Sequence, residues 1–258
     1  MFRPEIHKLL SSFVPIGLNE MDDVSLMNRI ETKYVFSANK LPDLLNRLSN
    51  SYKILDINLM RIFPYHTTYL DTPALLFYTQ QLTGKLNRHK VRYRYYESTG
   101  LSFLEIKKRT NKNRTIKWRI ESQLNTNSPD ESASSFLKEY LPYGFLSLRP
   151  VLINGFNRIT LVGTELKERV TLDYDVTFTN PDGRISLLPF LAVAELKRER
   201  HSVQSSFNNT MKQLGLRPSR FSKYCVGSAL ITDIPRKNTI KPNLLLLNKI
   251  ENEYIMST

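Results

Sequence analysis

The chain has 258 residues, 41% of them hydrophobic, and its 37 lysines and arginines against 24 aspartates and glutamates give a formal net charge of +13. That composition excludes a disordered chain. The single cysteine, Cys225, excludes an intrachain disulfide and suits a reducing compartment, and no run approaches the roughly 18 apolar residues of a membrane span. The charge points to a polyanionic partner: nucleic acid, polyphosphate, nucleotide or an anionic membrane surface.

The first thirty residues carry Glu5, Glu20, Asp22 and Asp23 and do not read as a secretory leader. Residues 3–12 predict a short amphipathic helix, and Asn19 with Asp22 predicts a capped helical turn over 20–27. Residues 28–36 read as a strand. Residues 39–48 read as a helix with Leu41, Leu44, Leu45 and Leu48 on one face. Strands follow over 65–71, 87–97, 102–109 and 114–121, with 110–113 as a hairpin tip. The Ser-, Asn- and Pro-rich stretch 123–131 reads as a loop, with Ser128 capping a helix to about Tyr140. Strands resume over 149–160, 168–178 and 191–198, the last two separated by the turn Asn180-Pro-Asp-Gly183. Helices are expected over 203–214 and from Ser222. Residues 1–230 form one expected domain. Residues 231–258, polar apart from Leu244–Leu247, are a tail or a docking helix. The whole predicts an α+β protein, a barrel or strongly curved sheet of about eight antiparallel strands with peripheral helices.

Alternate residues of a strand point to opposite faces. In the stretch His89-Lys-Val-Arg-Tyr-Arg-Tyr-Tyr96, Lys90, Arg92 and Arg94 (with Arg88 before them) share one face, and Val91, Tyr93 and Tyr95 the other. The same split recurs. Arg29, Glu31 and Lys33 oppose Ile30. Glu105, Lys107 and Arg109, with Phe103, oppose Leu104 and Ile106. Lys117 and Arg119 oppose Ile116, Trp118 and Ile120. Arg169, Thr171, Asp173 and Asp175 oppose Val170, Leu172, Tyr174 and Val176, and Glu195 and Lys197 oppose Ala194 and Leu196. A single such strand suits an ordinary sheet, apolar inside and solvated outside. Repeated strand after strand, with few acids interleaved, it does not. Two cations 5 Å apart repel by about 3 kcal/mol at an effective dielectric near 20, so the cluster needs an anion. The consistent arrangement is a barrel with a cationic lumen and helices packed on its apolar exterior. Tyr93, Tyr95 and Trp118 then face away from the cations, against a nucleic-acid-binding sheet.

In order along the chain stand Arg29-Ile-Glu-Thr-Lys-Tyr34, Tyr69-Leu-Asp-Thr-Pro73, Lys90-Val-Arg-Tyr-Arg-Tyr95, Glu105-Ile-Lys107, Arg169-Val-Thr-Leu-Asp173, Glu195-Leu-Lys197 and Phe221-Ser-Lys-Tyr224. Over about residues 15–230 this series resembles the VTC domain, the polyphosphate polymerase branch of the triphosphate tunnel metalloenzyme superfamily. The resemblance implies an eight-stranded antiparallel tunnel that binds ATP and a divalent metal, Mn²⁺ or Mg²⁺, and moves the terminal phosphate of ATP onto a growing polyphosphate chain. It implies Lys33, Arg92, Arg94, Lys107, Arg158 and Arg169 as the catalytic phosphate ligands. It adds Lys90, Lys117, Arg119, Lys197, Arg220, Ser222 and Lys223 as further phosphate contacts, Lys90 near a mouth. Glu195 is the implied metal ligand, with Glu31 and Glu105 as carboxylates that either join it or balance the cations. Arg29 replaces the first glutamate of the Glu-x-Glu-x-Lys motif common in tunnel enzymes, which tilts the reading toward polymerase. Partners would be ATP and polyphosphate, with no nucleic acid and no membrane span of its own. The place would be the cytoplasm, at the inner face of a membrane if a membrane protein takes the product.

The residues support phosphoryl transfer independently of the family. That chemistry needs positioning, neutralised non-bridging oxygens and a metal bridging phosphates. Arginine supplies bidentate contacts and lysine a point charge. No Gly-rich phosphate loop is present, so side chains must do the binding. His66, His89 and His201 lack a paired acid or nucleophile at motif spacing. Phe156, just before Arg158, either meets a base or belongs to the core. A triphosphatase of the same fold and a non-catalytic binder of polyphosphate or inositol pyrophosphate remain alternatives.

Overall fold

The structure, a computed structural model, describes residues 4–21, 29–112, 114–123, 129–142, 147–200, 205–234 and 237–257. The chain begins with α1 (Pro4–Leu10), β1 (Val14–Ile16) and α2 (Leu18–Met21), and β2 (Arg29–Ser37) follows. Most of the turn expected over 20–27, including Asp22, lies outside the described residues. Ser37 caps a 3-10 turn that runs into α3 (Leu41–Leu48). Leu41, Leu44, Leu45 and Leu48 of α3 are all fully buried, as their spacing predicts. Next come β3 (Tyr52–Leu55), β4 (Phe63–Asp71), α4 (Leu76–Leu82), β5 (Arg88–Tyr96), β6 (Leu101–Arg109), β7 (Thr115–Glu121) and α5 (Glu131–Tyr140). Asp130 caps α5, its side chain accepting from the Ala133 amide; the expected cap, Ser128, lies outside the described residues. The chain continues through β8 (Arg149–Gly163), β9 (Glu168–Thr179), β10 (Ile185–Leu188), β11 (Leu191–Glu199), α6 (Ser206–Gln213), α7 (Lys223–Ile231) and α8 (Lys237–Met256). The Asn180–Gly183 turn leads into the short β10, paired to β9, before β11 is reached.

The sheet follows the path β2-β11-β9-β8-β4-β5-β6-β7, eight strands with every pairing antiparallel. It is the antiparallel, helix-decorated tunnel-type sheet expected. Hydrogen bonding along the path ends at β2 and β7, and no pairing joins those two among the described residues.

The apolar face of each strand lies outside. Tyr34, Phe36, Ile159, Leu161, Val170, Leu172, Ala194 and Leu196 pack against the leucines of α3, against Ile6 and Leu10 of α1 and against Phe207 and Met211 of α6. On the far wall, Val91, Tyr93, Leu104 and Ile106 meet Ala133, Phe136 and Leu137 of α5, and Trp118 packs beside them. The tyrosine side of β5 is only partly covered. Tyr93 is buried, whereas Tyr95 is exposed beside His66.

One strand departs from simple alternation. Between Gly155 and Asn157 the β8–β9 register slips, and Asp175 takes a left-handed backbone with φ of 50°. The bulge inverts the remainder of β9. Val176 and Phe178 therefore join Leu152, Val193 and the α7 residues Tyr224, Cys225 and Val226 in an inner cluster, not the outer face to which strict alternation assigns Val176. At Gly227 of α7 a Cβ would lie 2.4 Å from Phe178, so the helix sits against the sheet at that end. The last helix, α8, packs on α7, β2 and β11 through Ile240, Leu247 and Ile250.

Candidate functional site: a cationic lumen

The charged residues at the alternate positions singled out above on β2, β5, β6, β7, β9 and β11, with Arg158 of β8, lie on the inner face, set by register. Arg92 lies opposite Glu105, Lys90 opposite Lys107, and Lys107 opposite Lys117. On the other wall Lys33 lies opposite Glu195, Lys197 opposite both Glu31 and Arg169, and Arg158 opposite Asp173. The curvature brings the walls within electrostatic reach. Lys33 acts on Lys90 and on Lys223 of α7, and Lys197 acts on Lys107, although several strands separate Lys33 from Lys90 and Lys197 from Lys107 along the sheet.

Three carboxylates hold this lumen together without a ligand. Glu105 is fully buried; its Oε2 accepts from Arg92 Nε at 2.7 Å, and its Oε1 pairs with Lys117. Arg94 reaches Glu105 only at 4.0 Å. Asp173 accepts from Arg158 at 2.6 and 2.8 Å and also pairs with Lys223. Glu195 pairs with Lys197 at 2.8 Å and Lys33 at 3.3 Å. Burial by itself would raise all three carboxyls. The cations win: Arg92 and Arg94 hold Glu105 well down, Arg158 and Lys223 hold Asp173 at about 2, and Lys197 and Lys33 hold Glu195 well below the carboxylate range.

The lysines are strained in the opposite sense. Burial pushes Lys90 and Lys223 down to about 8, and lowers Lys117 and Lys197. Lys107 is pushed well down, first by Arg92 and then by burial and Arg94. A lysine with a folded pKa near 8 and an unfolded value near 10.4 binds fewer protons folded than unfolded between those limits, so stability rises with pH across that window. Cys225, whose thiol burial pushes up, works the other way but is one group against five. The empty protein is therefore expected to melt higher at about pH 9.5 than at about pH 7.5, and saturating tripolyphosphate should flatten the difference. A melting temperature that falls over that range would count against a crowded cationic interior.

Most expected site residues meet here, but three do not sit as anticipated. Lys90, expected as a free charge, is half-buried and engaged, its Nζ donating to the Ser222 hydroxyl at 3.3 Å beside the start of α7. Arg220 is exposed. Arg119 is exposed and stacks on Phe103, with Cζ 4.8 Å from the ring centroid. Ser222 caps α7, accepting from the Cys225 amide, and the next residue, Lys223, enters the lumen. The Arg29 side chain lies outside the described residues. Arg169 is half-buried.

Sequence reasoning missed several inner residues. Asp173, on the charged face of its strand but given no role there, pairs with two proposed phosphate ligands, Arg158 and Lys223. Thr67, Arg94 and Asn154 share one cross-strand row, and Thr67 Oγ1, Arg94 Nε and Asn154 Oδ1 are buried without a hydrogen-bond partner among the described residues. Such groups are costly to leave unpaired, which marks the row as one that receives polar ligand atoms. Phe156 faces inward, stacked on Tyr65 at 5.4 Å, and Arg158 lies over both rings.

The donor set can be tested against a divalent ion. Glu105 does not fit, because it is fully buried with Arg92 and Lys117 on its two oxygens; Glu195 also carries a lysine on each oxygen, but its side chain is 22% exposed and open to a substrate. Glu195 and Glu31 stand one diagonal apart on adjacent strands; Glu195 is partly open and Glu31 exposed. Among the described residues no three histidines, cysteines or acids gather as a ready cation cage. One or two carboxylates completed by phosphate oxygens and water suit Mg²⁺ or Mn²⁺, so Glu195 and Glu31 fit an ion that is held jointly with a substrate.

A family model described as the VTC domain matches residues 28–232. No curated protein matches the chain. Solved structures that resemble it include a Vibrio parahaemolyticus protein named as a candidate adenylate cyclase, 14% identical, matched over 78% of this chain and 99% of that one with a TM-score of 0.48. A Bacillus halodurans protein named likewise is 12% identical over 76% and 94%, with a TM-score of 0.48. A Hippeastrum protein, named as a candidate adenylyl cyclase with a dominant triphosphatase activity, is 16% identical over 80% and 98%, with a TM-score of 0.47. Among the described residues no helix is long and apolar enough to cross a membrane.

Proposed function

The chain belongs to the VTC domain family, and from that premise we propose that it is an ATP-dependent polyphosphate polymerase. In this reading the terminal oxygen of a polyphosphate chain attacks the γ-phosphorus of ATP, the bond to the β,γ-bridging oxygen breaks, and ADP leaves. The observation that carries the proposal is the meeting of Lys33, Arg92, Arg94, Lys107, Arg158 and Lys223 in one interior where, among the described residues, no base is paired with a nucleophile. A phosphate acceptor is already ionised and needs no base, whereas water does.

The side chains have separable tasks. Arg92 and Arg94 are fixed along β5 and present planar donors to non-bridging oxygens. Lys107 and Lys117, facing each other across β6 and β7, supply point charges whose protonation a phosphate restores. Arg158 and Lys223, held by Asp173, meet the phosphates from the opposite wall. Lys33 and Lys197 flank Glu195, and with Glu31 that carboxylate would hold a Mg²⁺ or Mn²⁺ ion, which when bound neutralises charge on bridged phosphates. Arg169 and Ser222 are further phosphate contacts. Arg119 and Arg220, both exposed, would guide the chain outside the enclosed part. A single catalytic domain over residues 1–230, with α8 as a docking helix on its flank, belongs to the same proposal.

Incubation of the purified protein with ATP and Mn²⁺ or Mg²⁺ is expected to release ADP and to yield a ladder of polyphosphate on a gel. Orthophosphate without a chain would replace the polymerase by a triphosphatase. Tight binding of tripolyphosphate with no ADP would replace both by a binder.

A further inference from the structure

At one end of the inner face two adjacent cross-strand rows carry rings beside the cations: Phe156, Tyr65 and Tyr96 in one, and Phe103, level with Arg94, in the next. Tyr65 pairs with Tyr96 across β4 and β5, Arg94 with Phe103 across β5 and β6, and Phe103 with Glu121 across β6 and β7. The rings touch edge to face: Tyr65 and Tyr96 are 5.1 Å apart at 62°, and Tyr96 and Phe103 are 5.9 Å apart at 86°. Tyr65 is already engaged, with Phe156 stacked on it and Arg94 and Arg158 over its ring. Tyr96 and Phe103 are only half-buried, and Arg119 and Glu121 beside them are exposed.

Phosphate has no use for these rings, because the face of an aromatic ring is electronegative and repels its oxygens. A flat neutral π system does, above all one that slides between a phenyl ring and a guanidinium. The Arg119 group resting 4.8 Å from the Phe103 centroid already marks that stacking position. Glu121 adds a carboxylate with no ion pair among the described residues, placed to accept from an exocyclic amino group. Along β5, Tyr96, Arg94, Arg92 and Lys90 follow at every second residue, so the three cations extend to about 20 Å from Tyr96. A base at Tyr96 and Phe103 would thus lay its phosphates along that row.

We propose that Tyr96, Phe103, Arg119 and Glu121 form a nucleobase subsite for an amino-bearing purine, so that the lumen selects a nucleoside triphosphate over inorganic tripolyphosphate. The proposal rests on the reading that a nucleotide is the phosphate donor. Rings that merely orient the neighbouring arginines would influence both ligands equally, and this sets the test. Tyr96→Leu and Phe103→Leu keep apolar bulk and remove the π face. By calorimetry each is expected to weaken ATP binding about tenfold while leaving tripolyphosphate binding unchanged. Glu121→Ala should erase a preference for ATP over inosine triphosphate, which lacks the amino group. Equal loss of both ligands, undiminished ATP binding, or a wild type that prefers tripolyphosphate each overturns the subsite. If the wild type forms ADP and polyphosphate while Phe103→Leu binds ATP normally, the subsite falls and the polymerase reading stands. If the wild type forms no ADP, the polymerase reading falls and the binding comparison still decides the subsite.

Discussion

Arg94→Ala is expected to cut turnover of ATP by at least about 100-fold, the scale of losing one preorganised donor to developing charge, while the empty protein melts no lower than wild type. The two halves of this result have one cause. The Arg94 side chain is 13% exposed and 4.0 Å from the Glu105 carboxylate, and its Nε has no hydrogen-bond partner among the described residues. Burial lowers its pKa, and Arg92 lowers it further. In the empty lumen Arg94 is thus a desolvated charge facing like charges, held against the Tyr65 ring by a cation–π contact at 5.7 Å. Removing it relieves repulsion and costs one ring contact, while a triphosphate loses a donor. Turnover by ADP release and melting by calorimetry check it together. A fall of several degrees with activity retained would make Arg94 a structural residue and sink the phosphate assignment.

Glu105→Gln is expected to do the reverse, destabilising the empty protein by roughly 3–5 kcal/mol, the usual cost of removing one partner from a buried ion pair. For a chain of this size that is a fall of roughly 6–20 °C in melting temperature. Glu105 is the one buried carboxylate among Arg92, Arg94 and Lys117, so its loss leaves cations facing cations. Tripolyphosphate should restore much of the melting temperature, because an anion that binds the folded state shifts the equilibrium by mass action. The same experiment tests Glu105 as a metal ligand. If its role were to bind a metal, the substitution would leave the metal-free protein near wild-type stability and remove only the response to added Mn²⁺ or Mg²⁺.

Which face of the sheet is inside was legible in the sequence, because it depends only on period two and on the number of strands that repeat the pattern. Leu41, Leu44, Leu45 and Leu48 were legible for the same reason at helical period. Local pairings were within reach: counting equal steps back from the turn around residues 164–167 sets Arg158 opposite Asp173, and that count reveals Asp173 as a lumen residue. The β8–β9 bulge was not legible. Gly155 inside β8 stands at the slip, but a strand glycine signals a bulge without saying which strand inverts; it is Asp175, a non-glycine residue, that takes the left-handed backbone, and the inversion turns Val176 and Phe178 inward. The short strands β1, β3 and β10 carry too few residues for a period to show. The bend that brings Lys33 near Lys90 and Lys107 near Lys197 comes from the accumulated twist of the whole sheet, which no single segment encodes.

The pairing of β2 with β11 sets an order of assembly. Ile30 lies opposite Arg198, nearly the full length of the sheet-forming sequence away. The hairpins β5–β6, β6–β7 and β8–β9 close locally, but β2 emerges from the ribosome long before its partner. At common synthesis rates it waits roughly 10–30 s for about 160 more residues. An unpaired strand edge is a template for association with other chains, and charged side chains are the usual guard against it. Arg29, Glu31 and Lys33 thus have work before a lumen exists: they keep the first strand of the sheet in water until the last one arrives.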